Sequence, residues 1–232
     1  MTLIAHFPCN SPGSLMLRDA TNNGFDTDLT GSSTAQIVGG PEGVSNGAMQ
    51  KTGTNRLIFP EALRQAIQTA SRTLCFWAKG TDGVWYIEEH VPAPTDSGGW
   101  GILYLSGSIC AQARNTSSLV RSGTVAPTDG EWHHYAATYD ATGQTLKFYL
   151  DGVNANTDAL VPPIRTDTST LLGPEWSSSA TLLSDIRFYD EAITDFASII
   201  NPSEPTATEA YIRQGNAWIA TQLRVRKDGT WQ

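Results

Sequence analysis

The sequence predicts an all-β protein in which two antiparallel sheets pack as a sandwich, followed by a small C-terminal β-hairpin module. Short segments rich in β-branched and aromatic residues recur along the 232 residues, and clusters of Gly, Pro, Asn and Asp separate them. Charged residues make up 16% of the chain, against about 25% in an average domain, which leaves few for the exposed faces of long helices. Strands and helices do not alternate as in βαβ units, so two packed sheets are expected.

The predicted strands follow one another with few interruptions. A long polar stretch rich in Asn, Gly and Thr lies between the first strand and the second. The predicted strands cover residues 3–7, 55–59, 73–80, 84–91, 99–107, 109–115, 131–140, 146–152 and 182–190. Two short helices are predicted at residues 60–72 and 192–201, and Thr194 is the expected N-cap of the second.

The segment "EWHHYAATYDATGQTLKFYLDG" predicts a hairpin in the middle of the sandwich. In its second strand, Leu146, Phe148 and Leu150 share one face, and the strand ends at an Asp-Gly turn. Neither face of the first strand is cleanly polar, which is typical of a central strand covered on both sides. His133 and His134 are adjacent and therefore point to opposite faces. We expect both to be structural, and neither to be catalytic.

Charge and composition exclude several classes of protein. A net charge of −8 argues against a general nucleic-acid binder, which needs a basic surface. Cys9, Cys75 and Cys110 are too few and too scattered for a disulfide framework, so buried or half-buried thiols are expected. The N-terminal segment lacks the basic and apolar regions of a Sec signal, and no segment is apolar enough to insert into a membrane. The expectation is a soluble protein without an export signal.

The order of these motifs resembles that of laminin-G-like, concanavalin A-like jelly-roll domains. The resemblance rests on the hairpin and on "LIAHFPCN" with "LRDATNNG", "GGPEGVSNGAMQ", "RTLCFWAKG" and "LLSDIRFYDEAIT". It implies a jelly-roll sandwich over about the first 200 residues, with Trp77 in its core. The predicted boundaries are therefore a jelly roll at 1–202, a proline-bearing linker at 203–208 and the hairpin module at 209–232.

Enzyme activity is not expected, although jelly rolls of this kind include polysaccharide-cleaving enzymes. Retaining glycosidases on this scaffold carry two carboxylates at alternate positions of one strand, and no Glu-x-Asp-x-x-Glu occurs here. Glu88 and Glu89 are adjacent and face opposite sides of the sheet. Glu88 and His90 share a face and could carry out acid–base chemistry, but ordinary charges at a solvent-facing edge explain them more simply. The Tyr-x-Lys-x-Gly-x-Tyr pattern of jelly-roll lyases is missing.

Carbohydrate binding is better supported, because several aromatic residues lie in or beside Gly-, Ser- and Pro-rich stretches. Flat rings stack on sugar faces, with amides and carboxylates at the rim of the site. The candidate glycan-binding residues are Trp85, Trp100, Tyr104 and Trp176, of which Trp100 and Trp176 are the strongest loop candidates. The alternative is that each ring packs over an end of a sheet.

The resemblance also implies that a calcium ion could lie between the opening and closing strands, as in many relatives. Asp19, Asn22, Asn23 and Asp185 could supply the oxygen ligands that Ca²⁺ prefers. Residues that simply form an Asx turn explain "RDATNNG" equally well. No cofactor is required by the sequence, and structural calcium is the one metal considered.

The C-terminus contains an internal repeat. "IRQGNAW" (212–218) and "VRKDGTW" (225–231) share an Arg, a Gly-containing turn and a Trp. Residues 209–232 hold four basic and two acidic residues, a net charge of +2, so the rest of the chain carries −10. Two units of this size cannot bury a core alone. They should dock on their own domain, on copies of themselves or on another protein.

This repeat resembles the (Y/V)-x-R-x-G-G-x-W segments that end many tail and other virion proteins of tailed bacteriophages. Asn216 replaces the second glycine of the pattern in the first copy, and Asp228 replaces the first glycine in the second copy. Both residue types tolerate left-handed backbone, so the turn is retained. The alternative is a closing hairpin of the same sandwich. The residues that match the pattern are Arg213, Gly215, Trp218, Arg226, Gly229 and Trp231. Of these, the residues expected to serve in attachment are Arg213, Trp218, Arg226 and Trp231.

Together the two resemblances predict a non-enzymatic phage virion protein, on the tail or displayed on the surface. A lectin-like jelly roll would bind host-surface glycan, and the hairpin module would attach it to other virion proteins, in many copies or as a homo-oligomer. Nucleic-acid binding and membrane insertion are not expected, and assembly would occur in the host cytoplasm. The alternatives are a capsid decoration protein that stabilises the head without binding glycan, and a polysaccharide-cleaving enzyme.

Overall fold

The computed structural model of the chain describes residues 2–9, 16–28, 34–41, 47–52, 58–68, 71–80, 85–90, 99–105, 107–115, 118–160, 164, 170–172, 182–201, 209–214, 217–222, 226–227 and 230–231. The first ten strands are β1 (Leu3–Phe7), β2 (Met16–Leu17), β3 (Thr27–Asp28), β4 (Thr34–Val38), β5 (Ala48–Thr52), β6 (Arg72–Lys79), β7 (Trp85–His90), β8 (Gly101–Leu105), β9 (Ser108–Arg114) and β10 (Leu119–Val125). The later strands are β11 (Trp132–Asp140), β12 (Thr145–Leu150), β13 (Val153–Ala159), β14 (Thr170–Leu172), β15 (Leu182–Tyr189), β16 (Glu209–Gln214), β17 (Ala217–Gln222), β18 (Arg226–Lys227) and β19 (Thr230–Trp231). The helices are α1 (Glu61–Ala66) and α2 (Ala197–Ile200).

Two antiparallel sheets form the sandwich, which confirms the predicted fold class. The larger sheet has eight strands in the order β13-β12-β11-β6-β15-β5-β4, and β1 pairs with β15. The smaller sheet has five strands in the order β10-β9-β8-β7-β14. The predicted hairpin is formed by β11 and β12, and β11 is a central strand between β12 and β6, as expected.

The main core lies between the two sheets. The larger sheet contributes Phe76, Tyr135 and Phe148, and the smaller sheet contributes alternating residues such as Ile87 and Ile102. All five are buried, and full burial of one such side chain stabilises the fold by roughly 1.5–3 kcal/mol. Because residues of a strand alternate between faces, the intervening residues of β6, β11 and β12 point to the outer side of the larger sheet.

A second, smaller cluster covers part of that outer side. After β15 the chain folds back over the larger sheet, and Ile193, Phe196 and Ile199 pack on Tyr149 of β12 and on Ala136 of β11. This explains why β11 carries apolar residues on both faces. It also brings residues 193–201 next to the turn between β12 and β13, where the candidate site lies.

Several element boundaries differ from the predictions. Helix α1 ends at Ala66, because β6 already begins at Arg72. Thr194 is not the N-cap of α2: the helix begins after Phe196, and the Asp195 carboxylate accepts the hydrogen bond of the Ala197 amide instead. The predicted strand at 55–59 lies mostly outside the described residues. The sequence prediction missed the strands β2, β3, β4, β5, β10, β13 and β14.

The C-terminal repeat forms two separate hairpins. Strand β16 pairs with β17, and β18 pairs with β19, each pair through a two-residue connection. In the first hairpin Arg213 lies opposite Trp218, and in the second Arg226 lies opposite Trp231. The two copies therefore share one register, although the attachment role predicted for these four residues stays a prediction. The predicted domain boundaries at 202 and 208 lie outside the described residues.

The expectations for cysteine and membrane insertion can be compared with the described part of the chain. Cys9 and Cys75 are buried and Cys110 is half-buried, and all three are thiols, as predicted. Burial raises the pKa of Cys9 to about 12, so this thiol is not reactive at neutral pH. Among the described residues, no helix has the length and apolar character needed to span a bilayer.

Candidate ligand-binding site

An open cleft of about 310 Å³ lies at one corner of the larger sheet. One side is the turn between β12 and β13, with Asp151, Gly152 and Val153. The other side is the returning segment, with residues 194–197, 200 and 201. The cleft therefore joins an edge of the sheet to the segment that covers its outer face.

The wall formed by the β12–β13 turn follows from its sequence. Leu150 pairs with Val153, so Asp151 and Gly152 alone form the turn. Their φ angles are 49° and 77°, which are the left-handed values of the hairpin turn that Asp-Gly favours. The sequence predicted this turn correctly, but not that it borders a cleft.

Substitution of Gly152 tests how tightly this wall is packed. A Cβ atom at this position would lie 2.8 Å from Ile200 Cδ1, and the φ of 77° disfavours any L side chain. We expect Gly152→Ala to lower the free energy of unfolding by about 1–2 kcal/mol, measured by urea denaturation. Gly24→Ala is the matched control, since Gly24 has a similar φ of 81° and nothing lies within 4 Å of a Cβ there. Equal stability of the two variants would contradict the packing described here.

Two carboxylates are held in fixed positions at the rim of the cleft. The Asp151 side chain is 45% exposed, its Oδ1 accepts a hydrogen bond of 2.8 Å from the His134 amide, and its Oδ2 lies 2.7 Å from His133 Nδ1. The exposed Asp195 accepts a hydrogen bond of 2.9 Å from the Ala197 amide. Each carboxylate oxygen can accept more than one hydrogen bond, so both groups remain available to hydroxyl donors of a ligand.

The floor of the cleft is apolar and rests on the sheet. The Phe196 ring is buried and packs against Tyr149, with a centroid distance of 4.9 Å, and against His134, at 5.5 Å. Ile200 packs beside it. Val153, at the start of the edge strand β13, is 69% exposed and offers apolar surface at the mouth. The cleft thus combines polar acceptors with apolar surface.

The two adjacent histidines have different environments, as their predicted opposite orientation implies. His134 is buried between Trp77 and Phe196, and burial lowers its pKa to about 4. It is a structural residue, as predicted. His133 is partly exposed beside the cleft. Partial burial opposes its charge, but hydrogen bonds to Asp151 and Asp129 raise the pKa of His133 above its usual value.

Two of the predicted glycan-binding rings are buried. Trp100 is 1% exposed, and its ring lies 5.1 Å from the Arg72 guanidinium carbon; the ring of Tyr104 faces the core between the sheets. The prediction that they meet a sugar at the surface is therefore wrong. Backbone hydrogen bonds from the Glu89 amide to Trp100 and from the Gly99 amide to Glu89 extend the pairing of β7 and β8 as far as Gly99, so Trp100 belongs to the sheet and not to an exposed loop.

The other two candidates remain untested. Trp85 lies in β7 opposite Tyr104, but its side chain is outside the described residues, and so is the whole of Trp176. Strand β7 lies between β8 and β14: Glu88 pairs with Gly101 and with Leu172, and His90 pairs with Thr170. Their interpretation as charges on an edge strand is therefore wrong, and their side chains are not described.

The outer face of the five-stranded sheet is a less open alternative to the cleft. Leu103 and Gln112 alternate with core residues and so face outward, yet both are buried. Arg121 Nε donates a long hydrogen bond of 3.4 Å to the Gln112 side chain. The described middle of this face is thus covered, whereas the cleft is open.

The residues predicted to bind calcium bond mainly to protein donors. Asp19 Oδ1 accepts hydrogen bonds from the amides of His6 and Thr21. Asp185 lies 2.6 Å from His6 Nε2 and 3.0 Å from a guanidinium nitrogen of Arg187. A divalent cation does not fit beside this guanidinium. The Asn23 amide donates to a backbone carbonyl instead of offering its oxygen there.

No group of three or more His, Cys, Asp or Glu side chains within the described ranges is placed to hold a metal ion. Calcium binding at Asp19, Asn23 and Asp185 stays a prediction that this donor set does not favour. It has no part in the site described above.

Comparison with known proteins assigns the fold to a known group. The family model Laminin_G_3, described as the concanavalin A-like lectin/glucanases superfamily, matches residues 51–196. A search of curated proteins finds no significant match. The described sandwich and the matched range coincide over β6 to β15.

Solved structures of botulinum neurotoxin binding domains share the fold at low sequence identity. The serotype C1 binding domain superposes with a TM-score of 0.57 at 12% identity, over 90% of this chain and 54% of that one. The D/C binding domain in complex with SialylT gives 0.56 at 13% identity, over 90% and 53%. A structure of botulinum neurotoxin type C, a toxin whose cell entry is dependent upon interaction with two ganglioside molecules, gives a TM-score of 0.59 at 13% identity with the same coverage. This chain spans about half the length of these structures.

Proposed function

Because the chain belongs to the concanavalin A-like lectin/glucanases superfamily, we propose that it is a non-enzymatic, lectin-like module that binds glycan in the cleft between the β12–β13 turn and α2. The observation that carries this proposal is the cleft itself. It is open, its rim carries fixed carboxylates, and apolar side chains form its floor.

The arrangement fits the chemistry of a sugar. Hydroxyl groups can donate to Asp151 and Asp195, while a face of C–H bonds can cover the apolar surface of Val153 and Ile200. Because backbone amides already hold both carboxylates in place, binding does not have to order them, which reduces the entropic cost.

The charge of the cleft favours neutral over anionic sugars. Both charged groups among its described lining residues are aspartates. An acidic sugar would bring its carboxylate close to theirs, and the neighbouring His133 ring is already bonded to Asp151 and Asp129, so such like-charge contacts disfavour binding. We therefore expect neutral glycans to bind more tightly than sialylated ones.

The comparisons support a binding role without supplying the ligand. The similar structures are toxin binding domains, one solved with SialylT and another connected with two ganglioside molecules. Their sequence identity to this chain is 13%, and the cleft proposed here is derived from this chain alone.

We further propose that the chain is a phage virion protein, on the tail or displayed on the surface, and that the C-terminal hairpins attach it to other virion proteins. The support is the repeat, in which Arg and Trp occupy opposed positions of both hairpins. Many copies on one particle would raise weak single-site affinity by about 10²–10⁴ through avidity. The alternatives are a decoration protein that stabilises the head, and a polysaccharide-cleaving enzyme.

Removal of the hairpins separates attachment from recognition. Deleting residues 209–232 should abolish incorporation into phage particles, measured by mass spectrometry of purified virions, while the purified protein still binds a glycan array. The paired variant Trp218→Ala with Trp231→Ala keeps the chain length and should give the same result.

Each rival function predicts a different outcome. Incorporation of the truncated chain at the normal level would reject the attachment role. A blank array together with fragile particles lacking the protein would support decoration. Release of reducing ends from host polysaccharide, lost in Glu88→Gln, would support an enzyme.

A further inference from the structure

His133 joins the cleft to a neighbouring segment through two carboxylates. Its Nδ1 lies 2.7 Å from Asp151 Oδ2 in the cleft wall, and its Nε2 lies 3.1 Å from both oxygens of Asp129. Asp129 also accepts a hydrogen bond of 3.0 Å from the Glu131 amide, and Asp151 accepts one from the His134 amide. The ring therefore lies between two carboxylates that the backbone holds in place.

The number of protons in this arrangement is fixed by its chemistry. An ionised carboxylate only accepts hydrogen bonds, whereas a neutral imidazole has one N–H and one bare nitrogen. Both ring nitrogens can bond to carboxylates only if both carry a proton, so the geometry requires the imidazolium. The amide of Glu131 and the His133 ring keep the pKa of Asp129 below its usual value, so Asp129 does not supply the missing proton.

We propose that His133 is a proton-dependent clamp on the cleft: its imidazolium ties Asp129 to Asp151, and loss of the proton releases Asp129 and weakens glycan binding. This inference rests on the proposed function for its second half only. The shorter contact, to Asp151, keeps the remaining N–H, so the bare nitrogen faces Asp129 and that carboxylate turns away.

Release of Asp129 affects ligand binding because it increases the conformational freedom of the His133 side chain beside the cleft. With both bonds present, the ring and Asp151 have one common orientation. With one bond, the ring regains rotamers that a ligand must order again, while Asp151 stays bonded to the His134 amide. We expect affinity to fall about two- to tenfold, the factor that corresponds to ordering one side chain on binding.

Other charged groups near His133 do not replace the clamp. Lys79 of β6 forms an ion pair with Glu131, with 3.9 Å between Nζ and Oε2. The Tyr135 ring is 6.3 Å from the His133 ring. Burial raises the pKa of the Tyr135 hydroxyl above its usual value, so this group stays neutral. The charged groups that affect the protonation of His133 are thus Asp129, just before β11, and Asp151, in the turn after β12.

The direction of the pH effect follows from the raised pKa of His133. A group whose pKa is higher in the folded than in the unfolded state contributes stability that is fully present below the unfolded value, about 6.5. That contribution is lost as pH rises through the folded value. The clamp is therefore closed below about pH 6.5 and opens as the pH rises through the raised pKa of His133.

The test combines NMR with glycan titration on the full chain. We expect both His133 ring nitrogens to be protonated at about pH 6, and the amide signals of Asp151, Gly152 and Glu131 to titrate with the ring above pH 6.5. Affinity for a neutral glycan found on the array should fall on the same curve.

Asp129→Asn is the decisive control. The new side-chain amide can donate to the bare nitrogen of a neutral ring while its oxygen still accepts from the Glu131 amide, so the clamp no longer needs a proton. Affinity of this variant should be independent of pH between about 6 and 9.

Three outcomes would contradict, in turn, the clamp, its effect on affinity and the proposed function. A bare ring nitrogen at about pH 6 would overturn the clamp. An unchanged pH dependence in Asp129→Asn would overturn the link to affinity. If the ring and turn titrate as expected but no glycan binds at any pH, the clamp stands and the proposed function fails.

Discussion

Glu89→Gln should lower the free energy of unfolding by about 3–5 kcal/mol, the cost of leaving one partner of a buried ion pair uncompensated. The side chains of Glu89 and Arg72 are both fully buried between the sheets, with 3.3 Å between Glu89 Oε2 and Arg72 Nη1. The substitution removes the only carboxylate shown to pair with this guanidinium among the described residues. Urea denaturation of the purified chain measures the effect.

Each of the two buried charges needs the other for compensation, but the fold does not need the ion pair itself. Burial raises the pKa of Glu89 and lowers that of Arg72, so desolvation opposes both charges. The double variant Arg72→Met with Glu89→Leu should therefore lose less stability than Arg72→Met alone or Glu89→Leu alone. Glu61→Gln, which removes an exposed carboxylate paired with the half-buried Arg64, is the control and should have a smaller effect. A double variant as unstable as the sum of the singles would contradict this account.

Val153→Trp should weaken glycan binding at least about tenfold, a loss of roughly 1.4 kcal/mol or more. Val153 lies at the mouth of the cleft and is mostly exposed, so an indole there can fill the space without disturbing the core. Isothermal titration with a neutral glycan identified on the array measures the change.

The matched control lies on the same strand. Ala159 is exposed at the other end of β13, about 20 Å away at 3.3 Å per residue. Ala159→Trp should bind like the unmodified protein. If both variants bind normally, the ligand lies elsewhere; if both lose binding, the edge strand as a whole is the site.

The sequence predicted the walls of the sandwich better than its site. Alternation of apolar residues was sufficient to place Leu146 and Phe148 in the core, and the lack of a polar face was sufficient to identify β11 as a central strand, because both patterns are local properties. The Asp-Gly dipeptide was sufficient to predict the turn at Asp151. Neither feature required knowledge of distant contacts.

The site itself depends on contacts between distant parts of the chain. Asp151 and Asp195 line the same cleft only because the chain after β15 returns over the larger sheet. No local sequence pattern contains that information. Trp100 illustrates the reverse error. Its glycine-rich surroundings indicated an exposed loop, but pairing with Glu89 and packing against Arg72 bury the ring.

One strand that the prediction missed, the edge strand β13, has a clear physical explanation. Every residue of β13 is exposed or half-exposed, and its sequence "VNANTDA" is rich in turn-forming residues, so the alternation of Val153, Ala155 and Ala159 offers too little apolar surface to indicate a strand. Such an edge strand is specified by its partner, here β12, and not by its own residues.

The central claim is that glycan binds in the cleft between the β12–β13 turn and α2. The most direct measurement is to titrate a neutral glycan into the ¹⁵N-labelled protein and to map the amide signals that shift. The account predicts shifts at Gly152, Val153, Ala197 and Asn201. Shifts confined to the five-stranded sheet, around Gln112 and Arg121, would contradict it.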